Sequence, residues 1–162
     1  MENIEDQLRQ LFTARKLTLA TAESCTGGLL ADRLTNVAGS SDYYLGGVVS
    51  YAYSAKEALL GVDHDTLMRE GAVSEAVARQ MAEGARTRLS ADVGIGITGV
   101  AGPGGGSPDK PVGLVWIGLA DSSGSRAVKY QWNGDRLGNK QQSAQAALEI
   151  LAEWINAASH SE

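Results

Sequence analysis

The feature that most constrains the fold of this sequence is a polar octapeptide, Thr-Ala-Glu-Ser-Cys-Thr-Gly-Gly at residues 21–28, between two apolar segments. The preceding run Leu17–Ala20 is typical of a strand, and the amphipathic stretch Leu29–Val37 predicts a helix. A strand, a tight turn and a helix start place the residues Ser24–Thr26 where the free N–H groups of the helix point outward. Such a position attracts negative charge. The turn is therefore the first candidate for chemistry.

Helix and strand patterns alternate over most of the chain, and a hairpin pattern comes late. The apolar spacing predicts helices over 3–15, 29–37, 55–60, 63–70, 75–89 and 137–158, and strands over 17–22, 43–52, 92–98, 112–120 and 127–132. This order predicts an α/β fold, a three-layer α/β/α sandwich around a mixed sheet. We expect one domain over residues 1–162, with its core at about 5–157 and a frayed tail at 159–162.

Charge and composition exclude several classes of function. The net charge of −5 gives no electrostatic footprint for nucleic acid or for anionic membranes. No apolar run is long enough to span a bilayer, and the acidic start of the chain is unlike a signal peptide. One cysteine and two histidines form no metal-binding pattern. We expect a cytoplasmic protein without a metal centre, whose partner is neither nucleic acid nor membrane.

Three segments are expected at the carboxyl ends of the strands, where ligands bind in such sheets. They are Glu23–Gly28, Ser50–Lys56 and Thr98–Ser107. The third is a long glycine-rich loop, unusual inside a compact domain, and its spacing matches neither a Walker A nor a Rossmann motif. Gly102, Gly104 and Gly105 could let the backbone approach a phosphate or ribose. Thr98 could donate a hydroxyl there.

Ser24 needs a base to become a nucleophile. Lys56 can serve if burial lowers its pKa, and Tyr51 could position the groups or relay a proton. Cys25 is the rival nucleophile, although a small buried apolar residue is the simpler interpretation. Glu23 could orient the lysine or be solvated.

Other polar groups complete the candidate site. Thr26 could be an ordinary helix cap. Backbone N–H groups around Cys25–Gly28, including those of Gly27 and Gly28, could hold an oxyanion. Arg136 and Lys140 begin the last predicted helix, where a cation and a helix start favour an anion, although solvated basic residues are an equal alternative.

Six motifs occur in order along the chain. They are Ala-Glu-Ser-Cys-Thr-Gly-Gly (22–28), Gly-Gly-Val-Val-Ser-Tyr with Lys56 and Leu-Leu-Gly-Val (46–62), Gly-Ala-Val-Ser (71–74), Gly-Ile-Thr-Gly-Val-Ala-Gly-Pro-Gly-Gly-Gly (96–106), Lys-Pro-Val-Gly (110–113) and Gly-Asp-Arg (134–136). Together they resemble the CinA C-terminal domain family, also described as nicotinamide mononucleotide amidohydrolases of the PncC type. The resemblance covers roughly residues 5–157.

The resemblance implies hydrolysis of the carboxamide of nicotinamide mononucleotide to nicotinic acid mononucleotide and ammonia, a step of pyridine nucleotide salvage and NAD biosynthesis. It implies no metal or organic cofactor, and a homodimer or larger homo-oligomer. The family's proposed nucleophile maps to Ser24, its tyrosine and lysine to Tyr51 and Lys56, and its glycine-loop threonine to Thr98. The remaining Glu23, Cys25–Gly28, the glycine loop, Arg136 and Lys140 are expected to contact substrate.

The chain departs from the family pattern in two places. Lys140 stands where members often have an arginine, and the usual Tyr-Ser-Asn-x-x-Lys reads Tyr-Ala-Tyr-Ser-Ala-Lys at 51–56. We expect the second N-terminal domain of larger relatives, and its nucleotide pyrophosphatase role, to be absent. The alternative function is a non-catalytic nucleotide-binding module linked to competence or DNA damage.

Overall fold

The computed structural model describes residues 2–158, and this part of the chain forms six α-helices and five strands. The predicted frayed tail at 159–162 lies outside the described residues. In chain order the elements are α1 (Ile4–Arg15), β1 (Leu19–Glu23), α2 (Leu29–Thr35), a short 3-10 turn (Ser40–Asp42), β2 (Tyr44–Val49), α3 (Tyr53–Leu60), α4 (His64–Glu70), α5 (Glu75–Arg88), β3 (Val93–Gly99), β4 (Leu114–Asp121), β5 (Gly124–Gln131) and α6 (Arg136–Ala158).

The five strands form one mixed sheet in the order β2-β1-β3-β4-β5. Strand β1 pairs in parallel with both β2 and β3, whereas β4 is antiparallel to β3 and β5. Helices α1, α2 and α6 cover one face around a core that includes Phe12 and Leu148. Helices α3, α4 and α5 cover the other face around Leu67 and Met81. The predicted three-layer α/β/α sandwich with a mixed sheet is confirmed.

Helix α5 lies unusually close to the sheet because glycines stand beneath it. A Cβ atom on Gly118 of β4 would lie 2.3 Å from the carbonyl oxygen of Ala78, and one on Gly94 of β3 would lie 2.2 Å from that of Ala82. Gly94 and Gly96 of β3 therefore serve helix packing, as Gly118 of β4 does. This role separates them from the loop glycines that follow them directly in the sequence.

Most predicted boundaries lie within two residues of the observed ones, but two are wrong by three residues. Strand β2 ends at Val49 rather than at residue 52. Strand β5 begins at Gly124, because the Asp121 carboxylate accepts from the backbone N–H of Ser123 at 2.8 Å and closes a tighter turn. The first residues of this edge strand are small and polar, a composition that is also typical of a turn.

The topology brings the three predicted ligand segments together. In the parallel ladders Glu23 is level with Val49 on one side and with Ile97 on the other, so β1, β2 and β3 end at one edge of the sheet. The turn after β1, the start of α3 and the glycine-rich loop after β3 meet there. In the described range, no helix is long and apolar enough to cross a membrane.

Candidate active site

The side chains of Ser24 and Lys56 meet at this edge of the sheet. Ser24 directly follows β1, and Lys56 lies in the first turn of α3. Nζ of Lys56 is 2.9 Å from Oγ of Ser24. Lys56 is 1% exposed and Ser24 is 8% exposed. A hydroxyl and an amine are thus in hydrogen-bond contact in a site with little access to bulk water.

Two backbone carbonyls fix the amine of Lys56. Nζ donates to the carbonyl oxygen of Ser50 at 2.7 Å and to that of Tyr51 at 3.3 Å. Burial, which disfavours the charged form, lowers the pKa of Lys56 from 10.5 to about 8. A neutral amine has two hydrogens and one lone pair. The charged amine donates to all three oxygens, whereas in the neutral form the two carbonyls can take both hydrogens and leave the lone pair for the hydroxyl of Ser24.

Glu23 caps helix α2 instead of facing a ligand. Its carboxylate accepts from Oγ1 of Thr26 at 2.6 Å and from the N–H groups of Gly28, Leu30 and Ala31 at 3.2, 2.9 and 3.1 Å. These are the first free N–H groups of the helix, which were predicted to point outward at a ligand. That prediction is wrong, because a buried carboxylate of the protein itself occupies the helix start.

Thr26 and Cys25 also turn inward. The hydroxyl of Thr26 is committed to Glu23. Cys25 belongs to the buried core, and burial is the main cause that raises the pKa of its thiol to about 12. A thiolate is strongly disfavoured there. The alternative of Cys25 as the nucleophile loses its physical basis, and the simpler interpretation of a small buried residue agrees with the structure.

The turn at Cys25–Gly28 offers fewer backbone donors than expected. The N–H of Gly27 donates to the carbonyl of Ser24 at 3.1 Å, and that of Gly28 is taken by Glu23. Within residues 2–158 the N–H groups of Cys25 and Thr26 donate to no oxygen. Gly27 and Gly28 adopt φ of +61° and +107°, which favours glycine. Only Cys25 and Thr26 thus retain donors for an oxyanion.

The phenol of Tyr51 contacts neither Ser24 nor Lys56 through a hydrogen bond. Its hydroxyl accepts from a terminal nitrogen of Arg136 at 2.9 Å, and the side chain is 63% exposed. Tyr51 lies two residues beyond the end of β2 at Val49. Tyr51 positions Lys56 through its carbonyl, and the structure gives no contact for the predicted proton relay.

A cavity of about 380 Å³ lies against this site. Its wall includes Tyr51, whose carbonyl binds Lys56, and Gly99, two residues after the Ile97 carbonyl that accepts from the N–H of Ser24. Ser24 and Lys56 themselves are not lining residues. Besides Tyr51, the predicted site residues that line it are Gly102, Gly104, Gly105 and Arg136, and no aspartate or glutamate of the described chain does so.

Thr98 and Lys140 take other positions. Thr98 is 1% exposed, and its hydroxyl donates to the carbonyl of Ala72 at 2.8 Å, which ties β3 to the segment before α5. Lys140 does not line the cavity. Its Nζ would lie 3.7 Å from a Cβ atom on Gly27, so it stands beside the turn after β1.

Sequence reasoning missed two contributors. The carbonyl of Ser50 binds Lys56, and no side-chain pattern signals a backbone acceptor. Lys110 lines the cavity. Its only signal is its place in the Lys-Pro-Val-Gly motif, whose residues suggest no role by themselves.

A second cavity of the described chain is not a comparable site. A larger cavity, of about 670 Å³ and lined in part by Leu29, Tyr130 and Trp132, shares no residue with the first and contains no nucleophile paired with a base. Among residues 2–158 no group of three or more His, Cys, Asp or Glu side chains is placed to hold a metal ion.

Comparison with known families gives a match over nearly the whole chain. A family model described as the CinA C-terminal domain matches residues 1–155. A CinA-like protein of Salinibacter ruber is 57% identical over 146 residues, which are 90% of this chain and 35% of that protein. A putative competence-damage inducible protein of Moorella thermoacetica is 52% identical over 151 residues, 93% of this chain and 36% of that protein. The chain thus spans little more than a third of the length of these relatives.

Solved structures agree with this match. The crystal structure of the competence/damage inducible protein CihA from Agrobacterium tumefaciens superposes with a TM-score of 0.89 at 41% identity, covering 96% of this chain and 97% of that one. A CinA superfamily protein from Klebsiella pneumoniae superposes with a TM-score of 0.91 at 34% identity, covering 96% of this chain and 99% of that one.

Proposed function

Because this chain belongs to the CinA C-terminal domain family, we propose that it is an amidohydrolase that converts nicotinamide mononucleotide to nicotinic acid mononucleotide and ammonia. The observation that carries the proposal is the buried contact of 2.9 Å between Oγ of Ser24 and Nζ of Lys56. An amine whose pKa is lowered to about 8 is partly neutral near pH 7 and can accept the proton of a serine.

The first half of the reaction transfers the acyl group to the enzyme. Lys56 takes the hydroxyl proton while Oγ of Ser24 bonds to the carboxamide carbon. The N–H groups of Cys25 and Thr26 are the donors available to the oxyanion, and one such donor contributes roughly 3 kcal/mol in well-studied enzymes. The C–N bond then breaks, and Lys56 returns its proton to the leaving ammonia.

The second half frees the enzyme. A water molecule gives a proton to the neutral Lys56 and attacks the ester carbon. The bond from that carbon to Oγ of Ser24 breaks, and Lys56 protonates the serine again. The carboxylate product leaves, and one water is consumed for each ammonia released.

Ammonia release from nicotinamide mononucleotide by the purified protein tests the proposal. Ser24→Ala should lower kcat by at least ~10³-fold, because nothing else in the site forms the ester. Cys25→Ala is the matched control on the neighbouring residue and should retain activity within about threefold, since its thiol stays protonated.

Two results would overturn the proposal. Turnover by the Ser24→Ala variant together with its loss in Cys25→Ala would assign the reaction to the thiol. Saturable binding of the mononucleotide without any ammonia release would support the non-catalytic binding module instead.

A further inference from the structure

We propose that Lys110 and Arg136 form the subsite for a phosphomonoester group in the 380 Å³ cavity, and that Lys140 does not belong to it. The identity of the rest of the ligand rests on the proposed function. The presence of an anion subsite follows from the cavity itself.

The charge of the cavity wall is opposite to that of the protein. The chain has 19 acidic and 14 basic residues, yet two cations and no carboxylate of the described residues line this cavity. Neither cation forms an ion pair within residues 2–158. Two unneutralised cations in one concave site favour a ligand with more than one negative charge.

Lys110 is fixed by hydrogen bonds that leave two of its ammonium hydrogens available to a ligand. Its backbone is fixed by a turn in which its N–H donates to Oγ of Ser107 at 3.1 Å and its carbonyl accepts from the N–H of Ser107 at 2.9 Å. Its Nζ donates to the carbonyl of Glu70, the last residue of α4. That contact uses one of three ammonium hydrogens, and the described chain supplies no second acceptor.

Arg136 is likewise oriented by neutral groups. One terminal nitrogen donates to the carbonyl of Gly102 at 2.7 Å and the other to the hydroxyl of Tyr51 at 2.9 Å. A guanidinium has five N–H groups, so three stay available to phosphate oxygens. The two contacts hold its plane against the glycine loop.

The glycine loop adds neutral donors to the wall of the same cavity. In the described structure no backbone N–H from Gly104 to Gly106 donates to a protein acceptor. Gly104 and Gly105 line the cavity, and a Cβ atom on Gly104 would meet nothing within 4 Å. Unpaired N–H groups in the same cavity as two cations suit the three terminal oxygens of a phosphomonoester.

Titration with inorganic phosphate tests the subsite without any carboxamide present. Lys110→Ala should weaken phosphate binding at least ~10-fold, and Lys110→Arg should restore it to within about threefold. Lys129→Ala is the matched control, because it removes the same charge from exposed β5 outside the cavity. Lys110→Gln can retain a donor to Glu70 without the charge, so it separates electrostatics from loop anchoring and should behave like Lys110→Ala.

Kinetics supply the second measurement. Lys110→Ala should raise KM for nicotinamide mononucleotide and leave KM for nicotinamide riboside, which lacks the phosphate, unchanged. The subsite is disproved if wild-type protein binds no phosphate, or if Lys110→Ala and Lys129→Ala bind it equally. Phosphate binding that depends on Lys110 in a protein without deamidase activity would refute the proposed function and leave the subsite standing.

Discussion

At the scale of single residues, burial shifts the pKa values of Lys56 and Cys25 in opposite directions. Burial lowers the pKa of Lys56 to about 8 and raises that of Cys25 to about 12, because in each case the charged form is the one that loses hydration. The amine thereby becomes available as a base, and the thiol is kept protonated. Under the proposed function, the same desolvation favours the hydroxyl of Ser24 over the adjacent thiol as nucleophile.

The protonation state of Lys56 should control the rate. We expect kcat/KM to rise with pH through an apparent pKa near 8, because only the neutral amine accepts the serine proton. Lys56→Arg, which stays charged, should lose ~10²- to 10⁴-fold in kcat/KM. Deamidase pH profiles of both forms are the measurement, with Lys129→Arg as the control. A Lys56→Arg variant with the wild-type profile would refute the assignment of the base.

At the scale of elements, helix α2 depends on a carboxylate from the preceding strand. Glu23→Gln keeps the shape of the side chain but places an amide group against four hydrogen-bond donors. We expect a loss of about 1–3 kcal/mol in the free energy of unfolding, measured by urea denaturation. Glu153→Gln, on the exposed side of α6, should change it by less than about 0.5 kcal/mol. Equal values for the two variants would show that the cap contributes nothing.

The contact of α5 with the sheet gives a second prediction for an element. Gly118→Ala would place a methyl group 2.3 Å from the carbonyl oxygen of Ala78, so helix and strand must separate. We expect destabilisation of about 1–3 kcal/mol in thermal or urea unfolding. Gly104→Ala, with nothing within 4 Å of its added methyl, is the matched control for stability. Unchanged stability of Gly118→Ala would mean that the close approach is easily relaxed.

At the scale of the whole molecule, the fold was more predictable than the details of the site. Alternating helix and strand patterns predict the layers and the mixed sheet. An element that buries one face carries apolar residues at a regular spacing, which the sequence shows directly. The meeting of Ser24 and Lys56 followed from parallel strands ending at one edge. The hydrogen-bond partners of Glu23, Thr98 and the Tyr51 phenol could not be predicted. These side chains bond to backbone groups or to residues distant in sequence, and a sequence pattern signals neither. The predicted homo-oligomer stays a prediction.

The burial of Lys56 should make the free energy of unfolding depend on pH. Its folded pKa of about 8 lies below the ordinary 10.5, so between these values the unfolded chain binds more protons. This one group therefore makes the molecule more stable as pH rises from about 8 toward 10.5, and least stable below 8. Lys56→Met removes this contribution. We expect the stability of wild type relative to Lys56→Met to increase between about pH 7.5 and about pH 9.5 in urea unfolding, whereas a pH-independent difference would show that Lys56 is not desolvated.

The most direct test of the central claim is to isolate the ester. Wild-type protein mixed with nicotinamide mononucleotide, quenched in acid within milliseconds to seconds and digested should yield one peptide containing Ser24 that carries the nicotinate mononucleotide acyl group. Mass spectrometry should find that adduct on Ser24, and Ser24→Ala should give none. An adduct on Cys25, or ammonia released at full rate with no acylated peptide at any quench time, would contradict a serine activated by the neutral amine of Lys56.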